Sequence, residues 1–398
     1  MTTDFNATKA MFDLPAGLIY LDGNSLGPLP KAAAARVART VSEEWGGLLI
    51  RGWNKAGWMD APARIGDRIA GLIGAEPGSV VMGDTLSIKV YQALASALEM
   101  TPKRRVILSD TGNFPSDLYM AEGLCRTLGQ GYALKTVAPE DVADTIDDTV
   151  AVTMLTEVDY RTGRRHDMAA LTALAHARGA VTVWDLAHSA GAFPVHLAAA
   201  KADFAIGCTY KYLNSGPGGP AFIYVAPRHQ HRARPALSGW LGHEAPFAFD
   251  RDYRPGAGVE RMRVGTPPIL QLAALDAALD VWDQVDLDDL RFRSLILQDR
   301  FIQRVEATCP ELTLATPRDT TMRGSQVSFR HPQGYAVMQA LIAEGVIGDF
   351  RAPDILRFGI TPLYIGEAEI DHAAEVLARI LNGRLWDRAE FKTRARVT

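Results

Sequence analysis

Short apolar runs alternate with segments of helical pattern across the middle of the chain, from about residue 79 to residue 225. Apolar runs bounded by turn-forming residues are typical of buried strands, and they lie at 79–82, 105–108, 151–155, 181–184, 203–208 and 221–225. Segments between them, such as 168–178, carry helical patterns. Alternating strands and helices indicate a mostly parallel sheet that helices cover on both faces. The sequence therefore predicts an α/β fold, which binds ligands beyond the carboxyl ends of its strands.

The pattern changes on either side of this region. Pro30 opens an alanine-rich helix that runs toward Trp45. Residues 270–304 are predicted to form a long helix, broken once, and strands at 326–329 and 355–358 and a helix at 371–382 follow in an α+β region. We therefore expect three parts, namely residues 1–45 as the N-terminal segment of a small domain, residues 46–270 as a large ligand-binding domain, and residues 271–398 as the C-terminal small domain.

Composition narrows the class of protein. The 398 residues are 47% hydrophobic and 22% charged, as in an ordinary globular protein. A net charge of −4 gives no electrostatic reason to expect nucleic acid or an anionic membrane as a partner. The three cysteines form neither a disulfide framework nor a metal site. No apolar stretch approaches the roughly 18 residues of a membrane span, and the N-terminus lacks a signal-peptide pattern, so a cytoplasmic protein is expected.

Two strand ends carry the most informative residues. Asp185 and His188 follow the run at 181–184, and Lys211 follows the run at 203–208. The spacing leaves room for one strand, a turn and the next strand, so both groups can lie at one edge of the sheet. An acid and an amine so placed suit pyridoxal phosphate (PLP), since the lysine forms a Schiff base and the carboxylate keeps the pyridine nitrogen protonated. The alternative is an ordinary lysine and aspartate flanking a loop.

Other candidates follow neighbouring strands. Thr85 and Ser87 open a helix where free N–H groups favour a phosphate, although serine and threonine are also ordinary helix caps. Phe114 is placed to stack on a planar ring, with a core aromatic in a turn as the alternative. Asp117 is a candidate to bond a ring substituent, and Thr156 is either a donor to the ligand or a loop hydroxyl.

The remaining candidates concern the phosphate and the substrate. His188 either orients the Asp185 carboxylate or contacts phosphate, although a lone histidine is more often a surface or core residue. Tyr210 is a candidate to bond the phosphate, and the glycine-rich turn at 214–219 allows a close backbone approach. Arg357, on a late strand, has the planar fork that clamps an α-carboxylate, with a surface salt bridge as the alternative.

These residues occur in the chain order of the fold-type I PLP enzymes, which the sequence resembles. Six motifs narrow the resemblance to the kynureninase family, and they lie at 21–27, 113–117, 185–188, 210–214, 239–243 and 265–268. The combination of Asp-Leu-Ala-His, Tyr-Lys-Tyr-Leu-Asn and Gly-Trp-Leu-Gly-His is specific, and the resemblance runs from about residue 15 to residue 380. It implies a mostly parallel seven-stranded sheet in a large PLP-binding domain, with a smaller α+β domain beside it.

The resemblance implies a hydrolase of tryptophan catabolism that cleaves the Cβ–Cγ bond of L-kynurenine to give anthranilate and L-alanine. Lys211 would bind PLP and move protons, Asp185 would pair with the pyridine nitrogen, and Tyr210 is a candidate acid. The residues implied in cofactor binding are Leu86, Ser87, Phe114, Asp117, Thr156, Asp185, His188, Tyr210, Lys211, Trp240 and Thr266. Trp240 and Thr266 would come from the neighbouring subunit, which makes a homodimer with a shared site the expected working unit.

The resemblance also implies substrate contacts. Arg357 would take the substrate carboxylate. Trp53 and Trp58 fall where the family contacts the aryl ring, which favours kynurenine over its 3-hydroxy form, and packing is the alternative for both. Two positions depart from the family pattern, because Ser87 stands where threonine is frequent and Lys89 stands near a position where asparagine is common.

Two alternatives stay open at this point. A cysteine desulfurase or selenocysteine lyase resembles this chain in fold and lysine placement, but it needs a reactive cysteine on a late loop. Residues 310–357 contain no cysteine, and Cys309 is interpreted as structural. The other alternative is a non-catalytic PLP-binding homologue, against which the retention of Asp185, Lys211 and Arg357 argues.

Overall fold

The computed structural model describes residues 2–394, so residue 1 and residues 395–398 of the predicted terminal segments lie outside the described range. The α-helices are α1 (Phe5–Ala10), α2 (Lys31–Arg39), α3 (Gly52–Lys55), α4 (Ala61–Leu72), α5 (Leu86–Met100), α6 (Pro115–Leu128), α7 (Val142–Thr145), α8 (Met168–Ala177), α9 (Ile269–Ala278), α10 (Leu287–Thr308), α11 (Gly334–Ala343), α12 (Glu367–Asn382) and α13 (Ala389–Lys392). The strands are β1 (Phe12–Asp13), β2 (Ile19–Tyr20), β3 (Leu29–Pro30), β4 (Val80–Met82), β5 (Val106–Asp110), β6 (Ala133–Val137), β7 (Val150–Thr156), β8 (Val181–Asp185), β9 (Phe204–Gly207), β10 (Phe222–Val225), β11 (Thr313–Leu314), β12 (Gln326–Arg330), β13 (Val346–Ile347), β14 (Asp349–Arg351) and β15 (Ile355–Gly359). None of the helices in this range is long and apolar enough to cross a bilayer.

A seven-stranded sheet in the order β4-β10-β9-β8-β7-β5-β6 forms the centre of the molecule. Neighbouring strands from β9 to β6 pair in parallel, and β10 is antiparallel to both β4 and β9. Every residue of β7, β8, β9 and β10 is buried, as expected where helices cover both faces of a sheet. The predicted α/β class with a mostly parallel seven-stranded sheet is confirmed.

The register of the central strands places three strand ends together. Thr156 pairs with Asp185 across β7 and β8, and Asp185 pairs with Ile206 across β8 and β9. Because these strands are parallel, their carboxyl ends meet at the same edge of the sheet. The segments that follow the strands, including the one with Lys211, therefore start from that edge.

The structure corrects several predicted boundaries. The helix after Pro30 is α-helical only to Arg39 and continues as a π-helical segment, Thr40–Leu48. The long helix predicted at 270–304 is indeed broken once, by a 3-10 segment, and it restarts at α10, where the Asp286 side chain accepts hydrogen bonds from two backbone N–H groups. Strand β6 was not predicted, because an edge strand with exposed and partly exposed positions has no continuous apolar run.

A second, four-stranded antiparallel sheet in the order β11-β12-β15-β14 lies in the C-terminal region. The N-terminal strand β2 pairs in parallel with β13, so the chain's beginning is joined to its last third. The predicted assignment of residues 1–45 and 271–398 to one small domain, and of residues 46–270 to a large one, stays a prediction.

Candidate active site

Lys211 lies in the loop that leaves β9, and its side chain is partly buried. Backbone hydrogen bonds hold the loop on both sides of Lys211. The Tyr210 carbonyl accepts the Gly27 N–H at 2.7 Å. Asn214, in the left-handed region with a φ of 56°, donates its N–H to the Lys211 carbonyl at 3.0 Å. The Lys211 Nζ is 3.2 Å from His188 Nε2. Burial, followed by the charge of Lys211, holds the pKa of His188 well below its ordinary value. His188 is therefore a neutral ring whose Nε2 can accept a hydrogen bond from the lysine.

Asp185 ends β8 and is fully buried. Its Oδ1 accepts the Ala187 N–H at 2.9 Å, and its Oδ2 accepts the Thr156 hydroxyl at 3.3 Å. Burial raises the pKa of this carboxyl, and the charge of Lys211 opposes the shift without cancelling it. A carboxyl in this state gains most from a cationic N–H group placed against it.

Asp117, in the first turn of α6, is a second buried acid. Neither of its carboxylate oxygens has a hydrogen-bond partner among the described residues. Burial and then the charge of Asp185 raise its pKa well above the ordinary value. A buried acid without a partner is costly, so the arrangement fits a ligand that brings a hydrogen-bond donor or a positive charge.

The start of α5 supplies an anion-binding element. The side chain of Thr85 does not cap this helix, so N–H groups in its first turn are left for another acceptor. Leu86 and Ser87 line the cavity described below, and so do Gly218 and Gly219 from the glycine-rich turn. A Cβ atom at Gly219 would collide with Ser215 Oγ, so only glycine fits there. A helix N-terminus with free N–H groups favours a phosphate.

Phe114 precedes α6 and keeps 38% of its surface exposed. Its ring packs edge-on against Tyr160 at 5.1 Å between centroids, and Lys211 Nζ is 5.8 Å from its centroid. One face of the ring is therefore available to stack on a planar group near the lysine.

One cavity of about 360 Å³ brings most of these residues together. Its lining consists of Asn24, Ser25, Thr85, Leu86, Ser87, Phe114, Ser116, Asp185, Ala187, His188, Tyr210, Lys211, Gly218, Gly219, Arg351 and Arg357. We call the part around Thr85, Phe114, Asp117, Asp185 and Lys211 the cofactor end. No group of three or more metal-ligating side chains suited to a metal ion occurs within residues 2–394.

We call the cluster of Ser25, Asp349, Arg351 and Arg357 the arginine end. Arg357 is almost fully buried, and its Nε donates to Asp349 Oδ1 at 2.7 Å. Ser25 Oγ donates to Asp349 Oδ2 at 2.7 Å and accepts from Arg357 Nη2 at 2.7 Å. Arg357 is thus neither a surface residue nor half of an isolated salt bridge, but part of a buried network that faces the cavity.

Several residues of the cavity were not predicted to have a role. Asn24 and Ser25 lie within one of the family motifs, but no spacing signal assigned them a role. The side chain of Asn24 is buried and neither its oxygen nor its nitrogen has a partner in the described chain. Asp349 and Arg351 lie on the short strand β14. Alternation along a strand places both side chains on one face, but this strand was not predicted from the sequence.

Six predicted residues do not line this cavity in the described chain, namely Asp117, Thr156, Trp53, Trp58, Trp240 and Thr266. Asp117 and Thr156 are buried behind the lining and interact with Asp185. Trp240 is 41% exposed, and Thr266 is exposed as well. Trp53 is partly buried and packs edge-on against Trp58 at 5.8 Å between centroids. The single chain therefore does not bring Trp240, Thr266 or Trp53 to the lysine, and their expected contributions stay predictions.

Solved structures with the same architecture show the fold. A cysteine desulfurase from Thermococcus onnurineus superposes with a TM-score of 0.80 at 19% identity, covering 96% of this chain and 99% of its own. A cysteine desulfurase from Escherichia coli gives a TM-score of 0.80 at 18% identity, with coverage of 96% and 99%. Identities this low show the fold alone. The chain therefore has the fold of these two desulfurases.

Relatives in sequence give the family. Residues 290–377 match the family model of the kynureninase C-terminal domain. A kynureninase from Pseudomonas fluorescens is 53% identical over 98% of this chain and 95% of its own length. A kynureninase from Burkholderia pseudomallei (strain 1106a) is 52% identical with the same coverage. The chain belongs to the kynureninase family.

Proposed function

We propose that this chain is a PLP-dependent enzyme that hydrolyses L-kynurenine to anthranilate and L-alanine. Identity of 53% to a kynureninase over 98% of the chain is the observation that carries the proposal. The site fits the cofactor, because Lys211, the buried Asp185 and an uncapped helix start line one cavity, and the buried Asp117 interacts with Asp185 behind it. Bound PLP supplies an electron sink that stabilises negative charge on the substrate carbons next to its nitrogen.

Each residue of the cofactor end has its own proposed role. Asp185 holds the pyridine N–H, since its carboxyl is buried and needs a positive partner to stay ionised. Lys211 would hold the cofactor, and its amine would move a proton at the substrate Cα. His188 holds the lysine nitrogen through its neutral ring. Phe114 stacks on the cofactor ring, and Leu86 and Ser87 bind its phosphate.

Tyr210 is the proposed acid for the late protonation step. Its pKa is raised by the neighbouring Cys208 and by burial, so the phenol keeps its proton at neutral pH and can donate it to carbon or oxygen. Tyr210 and Lys211 are adjacent in sequence and both line the cavity, so an acid and a base can act on the same substrate. Arg357 binds the substrate α-carboxylate at the arginine end.

The assay that tests this function follows both products. We expect the PLP-loaded protein to release anthranilate, measured by fluorescence, and L-alanine in equal amounts from L-kynurenine. A parallel incubation with L-cysteine should release no sulfide. No anthranilate from either L-kynurenine or its 3-hydroxy form would contradict the proposal, and sulfide from L-cysteine would favour a desulfurase.

The cysteines argue against the desulfurase alternative. A desulfurase needs an accessible thiolate, whereas Cys125, Cys208 and Cys309 are all buried. Burial also raises the pKa of the Cys309 thiol, which lies just after α10. None of the three is placed to accept sulfur from a substrate in the described structure.

We also infer that the working unit is a homodimer with shared sites. An apolar cavity of about 670 Å³ opens beside the N-terminal segment, and Leu18, Leu26 and Leu29 around it are exposed. A second exposed apolar group consists of Trp240, Phe247 and Phe249, whose rings pack edge to face. Exposed apolar patches of this kind mark protein interfaces. The proposed dimer brings Trp240 and Thr266 to the partner's phosphate site.

A pair of substitutions tests this assembly. Trp240→Ala should speed the loss of PLP from the holoenzyme severalfold, because removing one hydrogen bond costs about 1 kcal/mol. Phe292→Ala is the matched control, since Phe292 is 69% exposed on α10, and it should retain PLP as the wild type does. Light scattering gives the mass of each variant. Equal PLP retention in both variants, or a monomeric wild type, would contradict the shared site.

Preference for kynurenine over 3-hydroxykynurenine and a cytoplasmic location are proposed from the sequence alone. Trp53 carries the first proposal, and comparing kcat/KM for the two substrates in wild type and Trp53→Leu tests it. The preference should weaken in the variant, whereas an unchanged ratio would assign Trp53 to packing.

A further inference from the structure

The cavity contains a second guanidinium group besides that of Arg357. Asp349 and Arg357 pair directly across the antiparallel strands β14 and β15. Arg351 lies two residues after Asp349 on β14, and residues two apart along a strand point to the same face. All three side chains therefore project from one face of the sheet, and both arginines line the cavity that contains Lys211.

Arg357 has too few free N–H donors to bind a substrate carboxylate alone. A guanidinium has about five N–H donors. In Arg357 the Nε donates to Asp349 Oδ1, the Nη2 contacts Asp349 Oδ2 and Ser25 Oγ, and the Nη1 donates to the Tyr160 carbonyl at 2.7 Å. One N–H, on Nη1, remains. A carboxylate bound through two parallel hydrogen bonds therefore needs a donor from another residue.

Arg351 has an N–H donor that is not bound to an acceptor. Its Nη2 is 2.6 Å from Asp349 Oδ2 and 3.2 Å from Ser25 Oγ. Its buried Nε has no acceptor among residues 2–394. The side chain is 33% exposed, and it lines the cavity rather than filling the core. A buried donor without an acceptor is costly, so an anion placed here would satisfy a group that the protein leaves unsatisfied.

The charges of the arginine end point to an anion as well. Burial raises the pKa of Asp349, but the charges of Arg357 and Arg351 and the hydrogen bonds from Arg357 and Ser25 outweigh it, so the pKa is lowered and the carboxylate is ionised. One ionised carboxylate thus faces two guanidinium groups. While the neighbouring Asp22 is protonated, the surplus of one positive charge equals the charge of one substrate carboxylate.

We propose that Arg351 is a substrate-binding residue, which takes the α-carboxylate of the amino-acid substrate together with Arg357 while Asp349 holds the two guanidinium groups side by side. The choice of L-kynurenine as substrate rests on the proposed function. The recognition of an α-carboxylate does not, because it follows from the arginine end alone. A purely structural Arg351 would instead serve only to hold Asp349.

The test compares two small amines that differ only in the carboxylate. L-Alanine and ethylamine are titrated into the PLP-loaded protein, and binding is followed by the visible absorbance of the cofactor. In Arg351→Met the Kd of L-alanine should rise about 10-fold or more, the loss expected for one charge-assisted hydrogen bond. The Kd of ethylamine should change less than about twofold, since it makes no contact that depends on Arg351.

Two further variants keep the test decisive. Arg351→Lys retains the charge without the fork, so its Kd for L-alanine should lie between those of wild type and Arg351→Met. Arg330→Met is the matched control, because Arg330 lies on β12 with 48% of its side chain exposed and pairs with Asp354 outside the cavity. It should bind both amines as the wild type does.

Turnover adds a readout for the substrate itself. In Arg351→Met the KM for L-kynurenine should rise about 10-fold or more while kcat changes less, since a binding contact is lost. Equal weakening of L-alanine and ethylamine would assign Arg351 a structural role and overturn the inference, and so would unchanged binding of L-alanine. If Arg351→Met weakens the binding of L-alanine but not of ethylamine, and the wild type does not turn over L-kynurenine, only the proposed function is refuted.

Discussion

The two ends of the active-site cavity are built in different ways. Residues of the cofactor end follow strands of one sheet, and parallel register brings Thr156, Asp185 and the end of β9, from which the Lys211 loop starts, to one edge. The arginine end joins residues that are remote in sequence, since Arg357 and Ser25 are 332 positions apart. Topology fixes the first end, whereas packing of the N-terminal segment against the C-terminal sheet fixes the second. Changes at the cofactor end should therefore affect chemistry, and changes at the arginine end should affect binding.

The largest effect is expected from Asp185→Asn at the cofactor end. A neutral amide cannot keep the pyridine nitrogen protonated, so kcat/KM for L-kynurenine should fall on the order of 10³-fold, about 4 kcal/mol in the transition state. Because the buried carboxyl of Asp185 has a raised pKa in the protein without cofactor, the apo variant should melt no lower than the apo wild type at pH 7.

Thr156→Val is the matched comparison for Asp185→Asn. It removes the hydroxyl that lies 3.3 Å from Asp185 Oδ2 and 3.2 Å from the Val158 carbonyl, so the loss in kcat/KM should stay within about tenfold, as expected for one hydrogen bond. Steady-state kinetics of both variants tests the ranking. A loss below tenfold for Asp185→Asn would remove Asp185 from the chemistry.

A smaller effect, confined to binding, is expected from Arg357→Lys. The substitution keeps the charge but loses the planar fork and breaks the bonds to Asp349 and Tyr160. KM should rise about 10- to 100-fold, from the loss of charge-assisted hydrogen bonds worth roughly 1.5–3 kcal/mol, with the cofactor absorbance unchanged. An altered cofactor spectrum would mean that the two ends of the cavity are not separable.

The smallest effect is a pH dependence at the arginine end. Burial and the charge of Asp349 raise the pKa of Asp22 to about 7, against the opposing effects of Arg357, Ser25 and Arg351. Below that pH Asp22 is neutral and the surplus positive charge is intact. Above it Asp22 becomes negative and opposes an incoming carboxylate, so KM should be higher at pH 8 than at pH 6.

The rise in KM should be on the order of tenfold, since the interaction of two unit charges within one site, at an effective dielectric of about 20, is on the order of 1–2 kcal/mol. Asp22→Asn, measured over the same pH range, should flatten the rise. A variant that keeps the full pH dependence of KM would place the titrating group elsewhere, for example on the substrate amine.

The contrast between the ends also explains what the sequence could predict. Asp185, Lys211 and Thr156 follow apolar strands, so the strand-end rule and the family motifs together identify them from the sequence alone. The α/β class and most strands of the central sheet are predictable for the same reason, since buried parallel strands are continuous apolar runs. Edge strand β6 lacks such a run and was missed.

Arg351 and Asp349 could not be predicted in the same way. They lie on a three-residue strand, which is too short for a periodic signal, and their partner Ser25 comes from the other end of the chain. Trp240, Thr266 and Trp53 are a different case, because the family resemblance alone assigned them roles. A single chain leaves them outside the cavity, so a test of their roles needs the assembled protein.

The most direct test of the account is to locate the cofactor on the chain. The PLP-loaded protein is reduced with borohydride, digested and analysed by mass spectrometry, with Lys211→Ala treated in parallel. We predict a pyridoxyl group on Lys211 in the wild type and none on any lysine of the variant, which should form no anthranilate. Attachment to another lysine, such as the buried Lys89, or anthranilate formation by Lys211→Ala would contradict this prediction.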